Sequence, residues 1–242
     1  MDRALFAAAS GMAAQQRNLE TIADNLANTG VIGFKGSAER FAELIAPGGR
    51  GVGTLAVGQR VLFAQGKLVR SAGPFDLAID GPGFFTVIDG RGRHLYTRDG
   101  QFSRSADGSL RNAHGARLAG VHIPSDATSV SVVDDGSVRA TLENGTRTIA
   151  HIRLAEFPAP DRLRHLDGSQ FEATPQSGKP RHISPNADDG PKLHFGMLEE
   201  SNVTIIDAMM QILTAQRAYE ANAKGVQAAD EMLRIDNNLQ RG

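Results

Sequence analysis

The run Ile205-Ile206-Asp207-Ala208-Met209-Met210-Gln211-Ile212-Leu213-Thr214-Ala215-Gln216-Arg217-Ala218-Tyr219 begins the longest uninterrupted helical period in the chain, which extends from Val203 to Leu239. Alternating steps of three and four from Ile205 visit Ala208, Ile212, Ala215, Tyr219, Asn222, Val226, Ala229 and Leu233, of which only Asn222 is plainly polar. Wide residues fall at one heptad position and small ones at the other, the pattern of a coiled-coil seam that lets a second helix approach closely. The opposite face carries Asp207, Gln211, Arg217, Glu220, Lys224, Asp230 and Arg234. Ser201 or Asn202 is expected to cap the start. Such a helix is about 50 Å long, too long to lie across the core of a small domain, so it needs a partner helix.

The other end of the chain supplies one. From Leu5 the same step visits Ala8, Met12, Gln15, Leu19, Ile22 and Leu26, again with one polar exception, and predicts a helix from about Ala4 to Ala27. It is expected to stop at Asn28-Thr29-Gly30, with the glycine in the left-handed conformation. The two helices are separated by nearly the whole chain, and the entropy of closing a loop grows with the logarithm of its length. The expectation is therefore that the helical ends gain their order from neighbouring subunits rather than within one molecule.

Between the helices the character changes. Residues 35–74 include a glycine-rich piece, Gly48-Gly49-Arg50-Gly51-Val52-Gly53, and read as a flexible extended leg, with two short strands at Gln59–Phe63 and Lys67–Arg70 around Gln65-Gly66. From Phe75 onwards turn pairs recur: Asp80-Gly81, Asp89-Gly90, Asp99-Gly100, Asp107-Gly108, Asp135-Gly136, Asn144-Gly145 and Asp167-Gly168. They punctuate short apolar or alternating runs at 84–88, 94–97, 118–123, 130–133, 138–142 and 148–157, which predicts an antiparallel β domain over 75–174. In the last run Ala150, Ile152 and Leu154 share a face, away from His151 and Arg153. Residues 161–191 are polar and rich in Gly, Pro and Ser and read as loop, so 175–199 is assigned as a second leg. The fold class is α+β: terminal helices (1–34 and 200–242) forming a coiled-coil-like assembly domain, and a central all-β domain.

Composition narrows the functions available. The chain has 242 residues, a formal net charge of −1, no cysteine and seven histidines. That balance offers no basic field for nucleic acid. No apolar run approaches a membrane span. The small-residue run Ala4–Ala14 continues into the heptad and has only Arg3 as a positive charge before it, so it reads as a retained helix rather than a signal peptide. None of the histidines (94, 114, 122, 151, 165, 182 and 194) has a paired metal-ligand spacing. The acid pairs Asp134-Asp135 and Asp188-Asp189 suit turns and solvation better than acid–base work or calcium. Gly81-Pro82-Gly83 lacks the Lys-Ser or Lys-Thr and the helix of a phosphate loop, and reads as a tight turn before Phe84-Phe85. No catalytic, cofactor or metal residue is assigned.

Three sets of residues resemble the flagellar rod and hook family. Ile22-Ala23-Asp24-Asn25-Leu26-Ala27-Asn28 with Gly33-Phe34-Lys35 is similar to its opening signature. Gly196-Met197-Leu198-Glu199-Glu200-Ser201-Asn202-Val203 with Gln216-Arg217-Ala218-Tyr219-Glu220-Ala221-Asn222 is similar to its closing signature. The runs 76–85 and 96–102 resemble its central β region. The resemblance implies a structural subunit of the rod that packs by its terminal helices against copies of itself and other rod subunits and transmits torque. It also implies delivery by the flagellar type III export apparatus without cleavage, and residence in the periplasm-spanning rod. The interval between Lys35 and Asp76 and the opening Met1-Asp2-Arg3-Ala4 favour the proximal over the distal rod. A helical adaptor or a cell-wall hydrolase is the alternative from another class; the first would need only the heptads, the second a cleft with paired carboxylates.

Overall fold

The computed structural model describes residues 2–45, 51–143, 145–167, 169–186 and 190–239, with side chains described from residue 5 to residue 235 within those ranges. The glycine-rich piece up to Arg50, Asn144, Gly168 and the Asp188-Asp189 pair lie outside the described residues. The fold is α+β, and the chain forms two compact units. One contains Met1–Asn28, Ser37–Leu62 and Val203–Gly242; the other contains Thr29–Gly36 and Phe63–Asn202.

The first unit holds helix α1 (Asp2–Ala27), strands β1 (Ser37–Ile45) and β2 (Gly51–Val61), and helix α2 (Ile205–Leu239). The region read as a flexible leg is thus an antiparallel hairpin, running from Ser37 opposite Val61 to Ile45 opposite Gly51 with register shifts at Arg40/Phe41 and Leu44/Ile45. Its glycines hid it from the sequence, because what orders it is tertiary. The face of α1 bearing Ser10, Ala14, Thr21 and Asn25 meets the hairpin. The Thr54 N–H donates to Ser10 Oγ at 3.1 Å, and Gln59 Nε2 donates to Thr21 Oγ1 at 2.8 Å. Asn25 Nδ2 donates to the Ser37 carbonyl at 2.7 Å while its Oδ1 accepts the Ser37 N–H at 2.8 Å. One side chain therefore pairs with the first strand residue as a neighbouring strand would.

The second unit is an antiparallel β fold. Its strands are β3 (Leu68–Arg70), β4 (Leu77–Asp80), β5 (Phe84–Ile88), β6 (His94–Thr97), β7 (Ser103–Arg104), β8 (Ser109–Arg111), β9 (Arg117–His122), β10 (Ser129–Val132), β11 (Ser137–Leu142), β12 (Gly145–His151), β13 (Leu154–Glu156), β14 (Arg164–Leu166), β15 (Gln170–Glu172), β16 (Arg181–Ile183), β17 (Lys192–Phe195) and β18 (Met197–Glu199). The main sheet runs β14-β15-β6-β5-β9-β8-β7, with β13 also on β5 and β16 on β13. A second sheet runs β10-β11-β12, and β17 and β18 pair with β4 and β3. The neighbours Phe84 and Phe85 point to opposite faces of β5, and both are buried. Phe85 joins the core of Leu77, Val87, Leu110, Ile123, Ile152, Leu154 and Leu193. Phe84 meets Phe63, Phe157 and Phe171 edge to face on the other side.

The strand expected at Lys67–Arg70 is present as β3 and pairs with β18, while the one expected at Gln59–Phe63 is the end of β2. One expectation fails in this unit. The loop and second leg, 161–199, instead supply β14 to β18. These strands are three or four residues long and carry no legible alternation. They form because β6, β13, β4 and β3 offer edges to β15, β16, β17 and β18, with β14 added on β15, a tertiary effect that outweighs local composition. The run 148–157 is split between β12 and β13, with Ile152 and Leu154 buried and His151 and Arg153 exposed.

The acidic turn residues act through their carboxylates. Asp107 accepts Ser109 Oγ, Arg111 and the Ser109 N–H, which together hold it well below the usual carboxylate range. Backbone N–H donation from Arg93 to Asp89 and from Ser137 to Asp135 lowers those two as well. A carboxyl lowered in the folded state contributes its full stability above its unfolded value, about pH 4, and loses it as pH falls towards the folded value. Asparagine keeps the local acceptor without the charge. The triple variant Asp89→Asn, Asp107→Asn, Asp135→Asn is therefore expected to lose less stability than the parent as pH is lowered below about 4, measured as urea midpoints across that range.

Candidate assembly site

The terminal helices pair with each other within one molecule, antiparallel. Ile22 of α1 sits with Ala208 and Ala215 of α2 in a buried cluster that Leu19, Leu26, Val203 and Ile212 flank. Further along, Ala8 faces Gly225, whose added Cβ would lie 3.6 Å from the Ala8 Cβ, and Gly11 faces Asn222, whose Nδ2 would stand 2.9 Å from a Cβ on Gly11. Gly11 and Gly225 are not in the heptad reading, yet they set how closely the helices approach. Their signal was their place beside the seam.

Most of the predicted seam is used here. Ala208, Ala215 and Ala229 are buried, and Ile212, Asn222, Val226 and Leu233 are half-buried, as are Leu5, Ala8, Met12, Gln15, Leu19 and Leu26. Two positions depart from it: Ile205 is 55% exposed and Tyr219 39% exposed. Val203 fills the place expected of Ile205. The cap also differs: Thr204 Oγ1 accepts the Asp207 N–H at 3.1 Å and donates to its carboxylate at 2.6 Å, so Thr204 starts α2 rather than Ser201 or Asn202. At the end of α1 the Asn28 N–H bonds the Asp24 and Asn25 carbonyls, and Gly33 rather than Gly30 has positive φ.

Pairing α1 with α2 does not use up the apolar surface. Ile206, Met209, Met210 and Leu213 form a ridge at helical spacing along the first turns of α2, each more than half exposed. Gln216 and Arg217 of the closing signature are exposed further along the helix.

The remaining signature residues lie in the β unit and do structural work there. Lys35 and Glu199 are both fully buried, with Nζ 2.6 Å from Oε1. Arg98 reaches Glu199 Oε2 at 3.3 Å and the Gly81 carbonyl at 2.8 Å, with its guanidinium over the Phe84 ring at 5.5 Å. Lys35 also donates to the Ala64 carbonyl, and the Gly66 N–H donates to Glu199 Oε1. Burial pulls the Lys35 ammonium below its ordinary range, and the Glu199 carboxylate opposes that pull. Beside this group Asn202 Oδ1 accepts the Gly36 N–H at 2.9 Å and Nδ2 donates to the Ala64 carbonyl at 3.0 Å. Gly33 has φ of 67°, and a Cβ there would run into the Arg98–Asp99 peptide, so no other residue fits. Gly33, Lys35, Glu199 and Asn202 thus hold together the two places where the chain leaves and rejoins the β unit. Arg98 and Glu199 lie within the runs that resemble the family, and their roles depend on partners far along the chain.

A helix pair that fills one seam and leaves a second apolar ridge on water has the surfaces of a structural subunit made for assembly. Family models agree: residues 5–35 match the flagella basal body rod protein model, 78–140 the flagellar hook protein FlgE/F/G D1 domain, and 196–239 the flagellar basal body rod FlgEFG protein C-terminal model. The chain is 35% identical to the flagellar basal-body rod protein FlgG of Borreliella burgdorferi over 100% of both chains. It is 34% identical to FlgG of Agrobacterium fabrum over 96% of this chain and 97% of that one. Against FlgF of Mesorhizobium japonicum it is 30% identical over 92% and 91%. The chain belongs to the flagellar basal-body rod family. The preference for the proximal rod gives way here, because the FlgG relatives match more strongly and over the full length despite the short interval after Lys35.

Glu199→Ala leaves two buried cations without their carboxylate and is expected to cost about 3–5 kcal/mol. Lys35→Met leaves Glu199 paired with Arg98 and the Gly66 N–H and is expected to cost less. Urea unfolding of the full chain measures both, and the reverse order would remove Glu199 from the centre of this group.

Proposed function

We propose that this chain is a distal rod subunit of the FlgG type, a structural element that stacks helically with copies of itself and other rod subunits to carry torque across the periplasm, with no catalytic role of its own. The observation that carries the reading is the ridge of Ile206, Met209, Met210 and Leu213, left on water after the α1–α2 seam is filled. An apolar stripe of that kind on a helix already paired on another face is suited to burial against a neighbouring subunit. The assembly contacts are thereby assigned to the ridge, and the heptad residues to holding α1 against α2. Export through the flagellar type III apparatus, without cleavage, belongs to the same proposal. No described helix is long and apolar enough to cross a membrane.

The experiment separates ridge from seam in cells lacking their own copy of the gene. Met210→Asp with Leu213→Asp is expected to leave the melting temperature of the purified monomer unchanged while abolishing motility and incorporation into basal bodies. Ile22→Asp buries a charge in the seam and is expected to destabilise the monomer itself by several kcal/mol. Ridge variants that swim normally would remove the ridge from the assembly surface. Gold label on isolated basal bodies tests the position, with the hook-proximal half of the rod expected for a distal subunit.

A further inference from the structure

On the β unit, the face of the main sheet opposite the aliphatic core opens into a cleft of about 470 Å³ lined by Thr86, Ala119, Gly120, His151, Arg153 and His182. The opening follows from the strand pairing. β5 meets β13 at Phe84 and Phe85 and β9 at Val87 and Ile88, so Thr86 falls where its neighbour on that side changes. Phe85 and Val87 point into the core, which turns Thr86 to the other face; His182 stands there by strand alternation, and Arg153, in the link between β12 and β13, lines the same cleft. Thr86 is 5% exposed, and its hydroxyl has no hydrogen-bond partner among the described residues. A buried hydroxyl left unpaired costs free energy that a ligand atom accepting from it would return.

The groups around that hydroxyl share one chemistry. Arg153 is exposed and makes no ion pair among the described residues, whereas the Arg93, Arg111, Arg164 and Arg181 side chains each have an acidic partner. His151 Nδ1 lies 3.2 Å from Ser137 Oγ; when the serine donates there, the ring proton is at Nε2 and the imidazole offers a donor. The lining thus presents a planar guanidinium, a hydroxyl and two imidazoles, with no carboxylate among them. One permanent cation matches a monoanion, and a guanidinium pairs with a carboxylate in two parallel hydrogen bonds.

We propose that this cleft binds a carboxylate, with Arg153 as its ion-pair partner and the Thr86 hydroxyl as a second donor, a role beyond assembly and independent of the ridge on α2. The carboxylate is that of a small organic acid or of a peptide end, and the test separates the two sources. Isotope-labelled full-length protein is titrated at constant ionic strength with acetate, N-acetylalanine, N-acetylalanine amide and inorganic phosphate, following the amides of residues 119–120 and 151–153. Saturable shifts with a carboxylate in the millimolar range are expected, and none with the amide. Tighter binding of N-acetylalanine than of acetate identifies a peptide end, and the converse a small acid. Arg153→Gln is expected to weaken binding at least tenfold. Thr86→Val should weaken it several-fold while melting no lower than the parent, since it removes a hydroxyl that has no partner. The proposal is overturned if neither carboxylate saturates, if phosphate binds more tightly than both, if the amide shifts equally, or if the Arg153→Gln protein binds as the parent does.

Discussion

A buried carboxylate holds together the two ends of a very long loop. From Ala27 to Ile205 the chain runs for nearly its whole length, and pairing α1 with α2 across an unstructured loop of that size would be costly. Glu199 shortens the path: with Lys35 held 2.6 Å from it inside the β unit, the helix ends are joined through roughly 14 residues instead of roughly 180, which reduces the closure cost by about 2 kcal/mol. The expectation that the terminal helices order only against other subunits left out this device. Once the β unit folds, both helices start from neighbouring points on the chain, and their seam closes within one molecule.

The arrangement explains why signature residues cluster where they do. Gly33, Lys35, Glu199 and Asn202 make their contacts inside the β unit, where the chain leaves it and rejoins it. Asn25 plays the same part in the helical unit, pairing with Ser37 as the hairpin begins. The buried Lys35–Glu199–Arg98 group is expensive to desolvate and gains its value from geometry, since each charge must find its partners or the fold is penalised. A polar group with one satisfactory arrangement fixes these places more sharply than apolar packing does.

Two apolar surfaces on one helix divide the work of α2. The small-residue seam, with Ala208, Ala215 and Ala229 buried and Gly225 against Ala8, brings α1 close. The ridge of isoleucine, methionine and leucine on the adjoining face has no role inside the molecule. Methionine is unbranched and adapts to uneven surfaces, which suits contacts that repeat between subunits in slightly different settings.

The sequence by itself determined the helices, their seam and the family. Heptad spacing is a local property, and Ile22, Ala208 and Ala215 stand where it put them because a 3.6-residue period leaves little choice of face. The central strands 84–88, 94–97 and 138–142 were legible for the same reason, bounded by turn residues and filled with alternating or apolar side chains. What only the tertiary structure decided is what depends on partners far along the chain. The hairpin β1–β2 owes its order to α1, and β16, β17 and β18 exist because open edges were available to them. Lys35 and Glu199 stand in the two signature runs, but nothing in their spacing brings them together until folding buries them face to face. The cleft, too, joins Thr86 and His182 from two strands with Arg153 from the link between β12 and β13, and no spacing in the chain announces it, because strand pairing is a non-local choice that short segments do not encode.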